Sequence, residues 1–136
     1  MLAGIHWQGG KIMQRSFKKQ EITLLKFYKD GAFDDFTIIF TGRLVGQWIQ
    51  DAGSESYPES ETIYWRVYQL QSKKLAIFTD HRKNFSLESN PYIFDSVEEI
   101  ENIKQIESVS TDDLCRLIRE SMTMQSGKHG AKHFII

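Results

Sequence analysis

The chain is poor in the residues that mark specialised architectures. One cysteine, Cys115, rules out an intrachain disulfide, so nothing in the fold depends on an oxidising compartment. Two prolines, Pro58 and Pro91, and the lack of any Gly/Ser-rich or Pro-rich run leave no interdomain linker, and no internal repeat is present. No stretch approaches the roughly 20 apolar residues of a membrane span, so no membrane partner is expected. The opening residues Met1 to Trp7 lack a basic segment followed by an apolar core, so they do not read as a signal peptide, and a cytoplasmic location is expected. A net charge of −1 argues against a dedicated nucleic-acid binder.

What remains is ordinary for a globular domain: 136 residues, 40% hydrophobic and 26% charged, with a generous 12% aromatic. The charge is unevenly spread. Lys11, Arg15, Lys18, Lys19, Lys26 and Lys29 make the early part basic, whereas Asp95, Glu98, Glu99, Glu101, Glu107, Asp112, Asp113 and Glu120 make the later part acidic.

The first dozen residues have no periodicity, which predicts a loose arm over 1–16. A β-rich run from Phe17 stops at Lys29-Asp30-Gly31, a turn signal. Phe36, Ile38 and Phe40 then alternate with Thr37, Ile39 and Thr41, and Leu44 to Ile49 resumes extended character after Gly42, so the two runs form one bent strand or a corner. Asp51 to Ser60 reads as a surface loop. Thr62 to Leu70 and Leu75 to Thr79 form a hairpin, and Tyr92 to Asp95 a short last strand. Ser96-Val97-Glu98-Glu99 is a capping box, and Ser110 or Thr111 caps a longer helix carrying Leu114, Leu117, Ile118 and Met122 on one face. After Met124 the segment Gln125-Ser126-Gly127-Lys128-His129-Gly130 reads as a tail over 125–136. The expected fold is α+β, an antiparallel meander of about five strands in a single domain over 17–124, with C-terminal helices packed on one face.

No phosphate loop, dinucleotide fingerprint, nucleophile elbow, zinc helix or calcium loop is present, and no cofactor is implied. His129 and His133 stand four apart, but Gly127 and Gly130 weaken the helix such a metal pair needs. Adjacent Asp34 and Asp35 read as solubilising, and Cys115 as a small core residue. Asp80-His81-Arg82 is the most enzyme-like cluster, because a carboxylate beside an imidazole can fix its tautomer; strand neighbours, however, point to opposite faces. The alternating Tyr64, Arg66 and Tyr68, extended by Arg43 and Trp48, make an aromatic-basic face suited to a protein interface or to stacking.

Three functional readings follow. The first is a non-enzymatic binding or regulatory module acting through an exposed sheet face or edge, on a protein partner or as a homodimer. The second is a nucleic-acid-associated accessory protein using Lys18, Lys19 and Arg66. The third is an enzyme with an Asp80-His81 site.

The stretch Phe40-Thr41-Gly42-Arg43-Leu44-Val45-Gly46-Gln47-Trp48, following Gln20-Glu21-Ile22-Thr23-Leu24, resembles segments of a group of small prokaryotic proteins called EXLDI. Thr62 to Thr79 and Phe94 to Ile100 are similar to that family's next hairpin and acidic helix start. The C-terminal Lys132-His133-Phe134-Ile135-Ile136 keeps an isoleucine but neither acidic residue of the naming signature. The resemblance implies a fold of this kind and brings no assigned activity, so it bears on the fold more than on the function.

Overall fold

Gly31 has φ +87°, the left-handed conformation that a three-residue hairpin loop needs at its last position. Around it, the Tyr28 amide donates to the Ala32 carbonyl at 2.9 Å, and the Gly31 amide to that of Tyr28 at 3.0 Å. The predicted Asp30-Gly31 turn thus sets the register between the two strands it joins. The computed structural model describes residues 6–8, 14–28, 30–54, 56–57, 60–84 and 86–134, and side chains only between 14 and 123.

The elements in order are β1 (His6–Gln8), β2 (Lys18–Phe27), β3 (Phe33–Asp51), β4 (Glu61–Leu70), β5 (Leu75–Lys83), β6 (Ser86–Phe94), α1 (Val97–Ile103), β7 (Gln105–Ile106), β8 (Val109–Ser110) and α2 (Asp112–Phe134). Strands β2 to β6 form an antiparallel meander, as the alternation predicted. The meander also closes. Lys26 and Phe27 of β2 pair with Glu88 and Leu87 of β6, so the ring of pairings returns to its start. β3 makes closure possible: its first half pairs with β2, its second half with β4, and Gly42 belongs to both ladders, opposite Lys18 and Leu70.

Two cores result. On the helix side, Trp48, Ile63, Trp65, Val67, Leu75, Ile77 and Phe94 pack against Val97 and Ile100 of α1 and Leu114, Cys115 and Ile118 of α2. Inside the closed sheet, Ile22 and Leu24 meet Leu44, Tyr68, Ala76 and Phe78. Phe40, Tyr68 and Phe78 form a ring cluster there, with centroids 5.1 to 5.9 Å apart. Helices therefore cover one face, as expected, but the other face is not open: the β2–β3 hairpin folds across it.

The predicted capping box forms. The Ser96 hydroxyl accepts from the Glu99 amide at 3.4 Å, while the Glu99 carboxylate accepts from the Asp95 amide at 3.2 Å. Ser110 accepts from the Asp112 amide at 3.2 Å, and the buried Thr111 ties α2 to α1 by donating to the Ile100 carbonyl at 3.2 Å. Arg119 of α2 adds bonds to Glu98 and Glu101 at 2.9 and 2.6 Å.

Three segments differ from expectation. His6–Gln8, in the predicted arm, pairs with Ile49 to Asp51 of β3. The last strand is not short, because β5 and β6 stay paired out to Lys83 and Ser86. Polar residues carry this extension: Asp80 accepts from Ser89 at 2.6 Å, and Thr79 faces Asn90. Pro91 is tolerated because, among the described residues, β6 pairs with β2 only at Leu87 and Glu88, which leaves that edge without a ladder at Pro91. Finally, α2 runs on through 125–134, the segment read as a tail. Among the described residues no helix is long and apolar enough to cross a membrane.

Candidate functional site

Sequence alternation places Trp48 beside Tyr64 and Tyr68; the structure separates them. Leu44 pairs with Tyr68 and Gly46 with Val67, so a bulge at Val45 inserts one residue and reverses the side of every later residue of β3. Trp48 is buried in the helix-side core and Tyr68 in the interior of the closed sheet, leaving only Tyr64 of the three exposed. Gly46 is required by this arrangement, since a Cβ there would lie 2.4 Å from the Trp48 ring. Arg43 bonds the Gln69 side chain at 2.7 Å and stacks over Phe17, its guanidinium carbon 4.8 Å from the ring centroid. Arg66 is half-buried and reaches Asp80 at 3.5 Å. The five residues do not form one continuous face.

The nucleic-acid candidates are also apart. Lys18 and Lys19 are exposed at the start of β2, whereas Arg66 sits midway along β4 beside Asp80. Lys11 and Lys29 lie outside the described residues, as do the His129 and His133 side chains. Asp34 accepts a bond from the Tyr28 hydroxyl at 3.3 Å. Cys115 is buried in the helix-side core, and burial pushes its thiol pKa up.

The enzyme-like cluster is rebuilt around different partners. Asp80 faces Arg66 and Ser89, while His81, on the opposite side of β5, sits between two carboxylates from elsewhere in the chain. Its Nδ1 is 2.8 Å from Glu107 in the β7–β8 turn, and its Nε2 contacts Glu61 of β4. An ionised carboxylate only accepts, so two ionised partners favour the doubly protonated ring, the imidazolium. Glu107 also accepts from Asn90 Nδ2 at 3.1 Å and from the Tyr92 hydroxyl of β6. The bond to Glu107 raises the His81 pKa above its ordinary value, against an opposing burial effect and with further help from Glu61. Burial pushes Glu107 up, but its bonds from His81 and Tyr92 outweigh this and leave its pKa lowered. Tyr92 is raised by burial and by the adjacent Glu107 carboxylate.

Holding Glu107 there strains the backbone. Glu107 and Ser108 have φ +56° and +65°, a two-residue turn that normally calls for Asn or Gly. The sequence gives no hint of this turn, because Ile106-Glu107-Ser108-Val109 contains neither residue.

A second feature is the hairpin itself. Phe27, Tyr28, Phe33, Phe36 and Ile39 are all exposed, with Phe33 and Phe36 at 56% and Ile39 at 58%, and Phe27 stacks on Phe33 at 5.2 Å. Because Tyr28 and Ala32 are a hydrogen-bonded pair, so are the even-numbered pairs up to Lys18 and Gly42. Odd-numbered residues of β3 therefore aim their amides and carbonyls away from β2. Leu44 fits the same alternation: its even-numbered amide and carbonyl meet Gln14 on the β2 side. From Gly42 onward the opposite edge is taken by β4. From Phe33 to Thr41 no described residue pairs with it, and the run contains no lysine or proline. A long edge strand is normally blunted by such residues. The signal was present as an apolar run on both faces without a charge between Phe36 and Gly42.

No family model, curated protein or solved structure matches this chain.

Proposed function

We propose that this protein is a non-enzymatic binding module that engages a protein partner by strand addition to the β3 edge. The observation that carries this reading is the unpaired run Phe33 to Thr41, flanked by exposed aromatic residues. Strand addition takes its affinity from main-chain hydrogen bonds and its selectivity from alternate side chains, and an exposed apolar patch on an otherwise charged surface marks contact.

The competing readings have less support. In the nucleic-acid reading Arg66 would have to leave Asp80, and its aromatic neighbour Tyr68 is buried. In the enzyme reading Asp80 and His81 would have to act together, yet they lie on opposite sides of β5 and both imidazole nitrogens are engaged.

Thr37→Pro separates edge binding from fold. Its amide points to the unpaired edge, so proline removes an edge donor without breaking the β2 ladder. An immobilised library of ten-residue peptides is the probe. Expected is capture of extended peptides rich in β-branched and aromatic residues by the wild type, with at least about tenfold weaker capture by the variant. Equal capture by both proteins, or none by a wild type that is monomeric at the assay concentration, overturns the reading.

A further inference from the structure

We propose that the occupant of the β3 edge is a second copy of this chain, whose own Phe33 to Thr41 runs antiparallel across a twofold axis at Thr37. This rests on the edge-binding reading above and names its partner.

Geometry restricts the pairing. A strand paired antiparallel with its own copy must have one residue facing itself, because side chains alternate between faces and a shift by one would set opposite faces against each other. Centring on Thr37 uses the whole unpaired run, and any other centre shortens it. Phe33 then faces Thr41 of the second copy, Asp35 faces Ile39, and Thr37 faces Thr37. These odd-numbered residues are the ones whose amides and carbonyls point to the edge, so all three kinds of pair are hydrogen-bonded.

Charge agrees with this register. Asp34 would face Phe40 of the second copy and Asp35 would face Ile39, so no carboxylate opposes another; centring on Asp35 would set two aspartates together. Phe33, Asp35, Thr37, Ile39 and Thr41 are all exposed, so the pairing buries what the monomer leaves in water. The far edge of β2 is guarded differently, by the exposed Lys18, Lys19, Glu21 and Lys26 on that strand. The contact is isologous, and forming it consumes the β3 edge of both copies, which closes the assembly at two chains.

Two lysine substitutions read the register, with sedimentation equilibrium as the assay. Thr37→Lys sets like charges face to face on the axis. It is expected to weaken dimerisation by at least about tenfold, with recovery in high salt. Ile39→Lys places its ammonium opposite Asp35 of the second copy, and is expected to change the dimer constant by less than about threefold. Circular dichroism confirms that both exposed-site variants fold. Equal weakening by both substitutions, or by neither, overturns the Thr37 axis. A wild type that stays monomeric at millimolar concentration while still capturing library peptides overturns self-pairing and leaves the binding module standing. A monomer that captures no peptide removes both.

Discussion

Replacing His81 with leucine removes the cation that holds Glu61 and Glu107 together. The two carboxylates would then lie on either side of a leucine, with the Glu107 side chain only 6% exposed. Breaking a fully buried ion pair from one side costs about 3–5 kcal/mol. Here Asn90 and Tyr92 still bond Glu107, and Glu61 keeps 19% exposure, so the expected loss is about 2–4 kcal/mol. For a chain of this size that lowers the melting temperature by roughly 6–16 °C.

The pH dependence gives the sharper test. The folded pKa of His81 is raised, so its contribution is full below the ordinary imidazole value of about 6.5 and is lost as pH rises through the raised value. That of Glu107 is lowered, so its contribution is present above the ordinary carboxylate value of about 4.3 and is lost as pH falls through the lowered value. The difference in unfolding free energy between wild type and His81→Leu, measured by urea denaturation, should therefore peak between about pH 4.5 and 6.5 and shrink on both sides. The groups facing the imidazolium are Glu61 on β4, Glu107 in the β7–β8 turn and, opposite it in the β5–β6 register, Glu88 on β6, whose own pKa is lowered by its bond to Lys26 of β2. Adding Glu107→Gln to His81→Leu should recover about 1 kcal/mol or more, because it removes the orphaned charge. A difference that stays flat from pH 4 to 9, or falls below about 0.5 kcal/mol throughout, would refute the reasoning.

Two further outcomes are expected. Ser108→Gly relieves the left-handed conformation and should stabilise by about 1 kcal/mol in urea titration, whereas Glu107→Gly gives the same backbone relief but loses the carboxylate and should destabilise. Gly46→Ala drives a Cβ to 2.4 Å from the Trp48 ring and should cost about 1–3 kcal/mol, with a change in tryptophan fluorescence; a neutral result would mean that the helix-side core yields easily.

The parts of this molecule that depend on near neighbours in sequence were legible. The Asp30-Gly31 turn, the hairpin across Gln71 to Lys74, the Ser96 capping box and the α2 stripe each rest on a few consecutive residues, and each is found where the pattern predicted. What failed depends on distant partners. The bulge at Val45 leaves the apolar character of β3 unchanged while reversing the side Trp48 occupies, so alternation read through it assembled a face that does not exist. The polar stretches Asp80 to Lys83 and Ser86 to Asn90 are strand because Arg66, Glu61 and Glu107 supply partners from elsewhere in the chain, while Asp80 and Ser89 partner each other across the hairpin. His81 was visible as a candidate, but its neighbour Asp80 was the wrong carboxylate. Glu107, more than 20 residues away, was invisible because its turn lacks the expected glycine. The alternation of Phe36 to Thr41 was read correctly, yet whether its second edge is paired depends on where β4 ends, and its last residue, Leu70, lies opposite Gly42.

Amide hydrogen exchange along β3, followed residue by residue, tests the central claim most directly. At low protein concentration the amides of Phe36 and Ile38, which face β2, should be protected, while those of Asp35, Thr37 and Ile39 exchange rapidly. On raising the concentration or adding a captured peptide, the three odd-numbered amides should become protected together. Protection that does not alternate, or odd-numbered amides that stay fast when a partner is bound, would contradict strand addition at this edge.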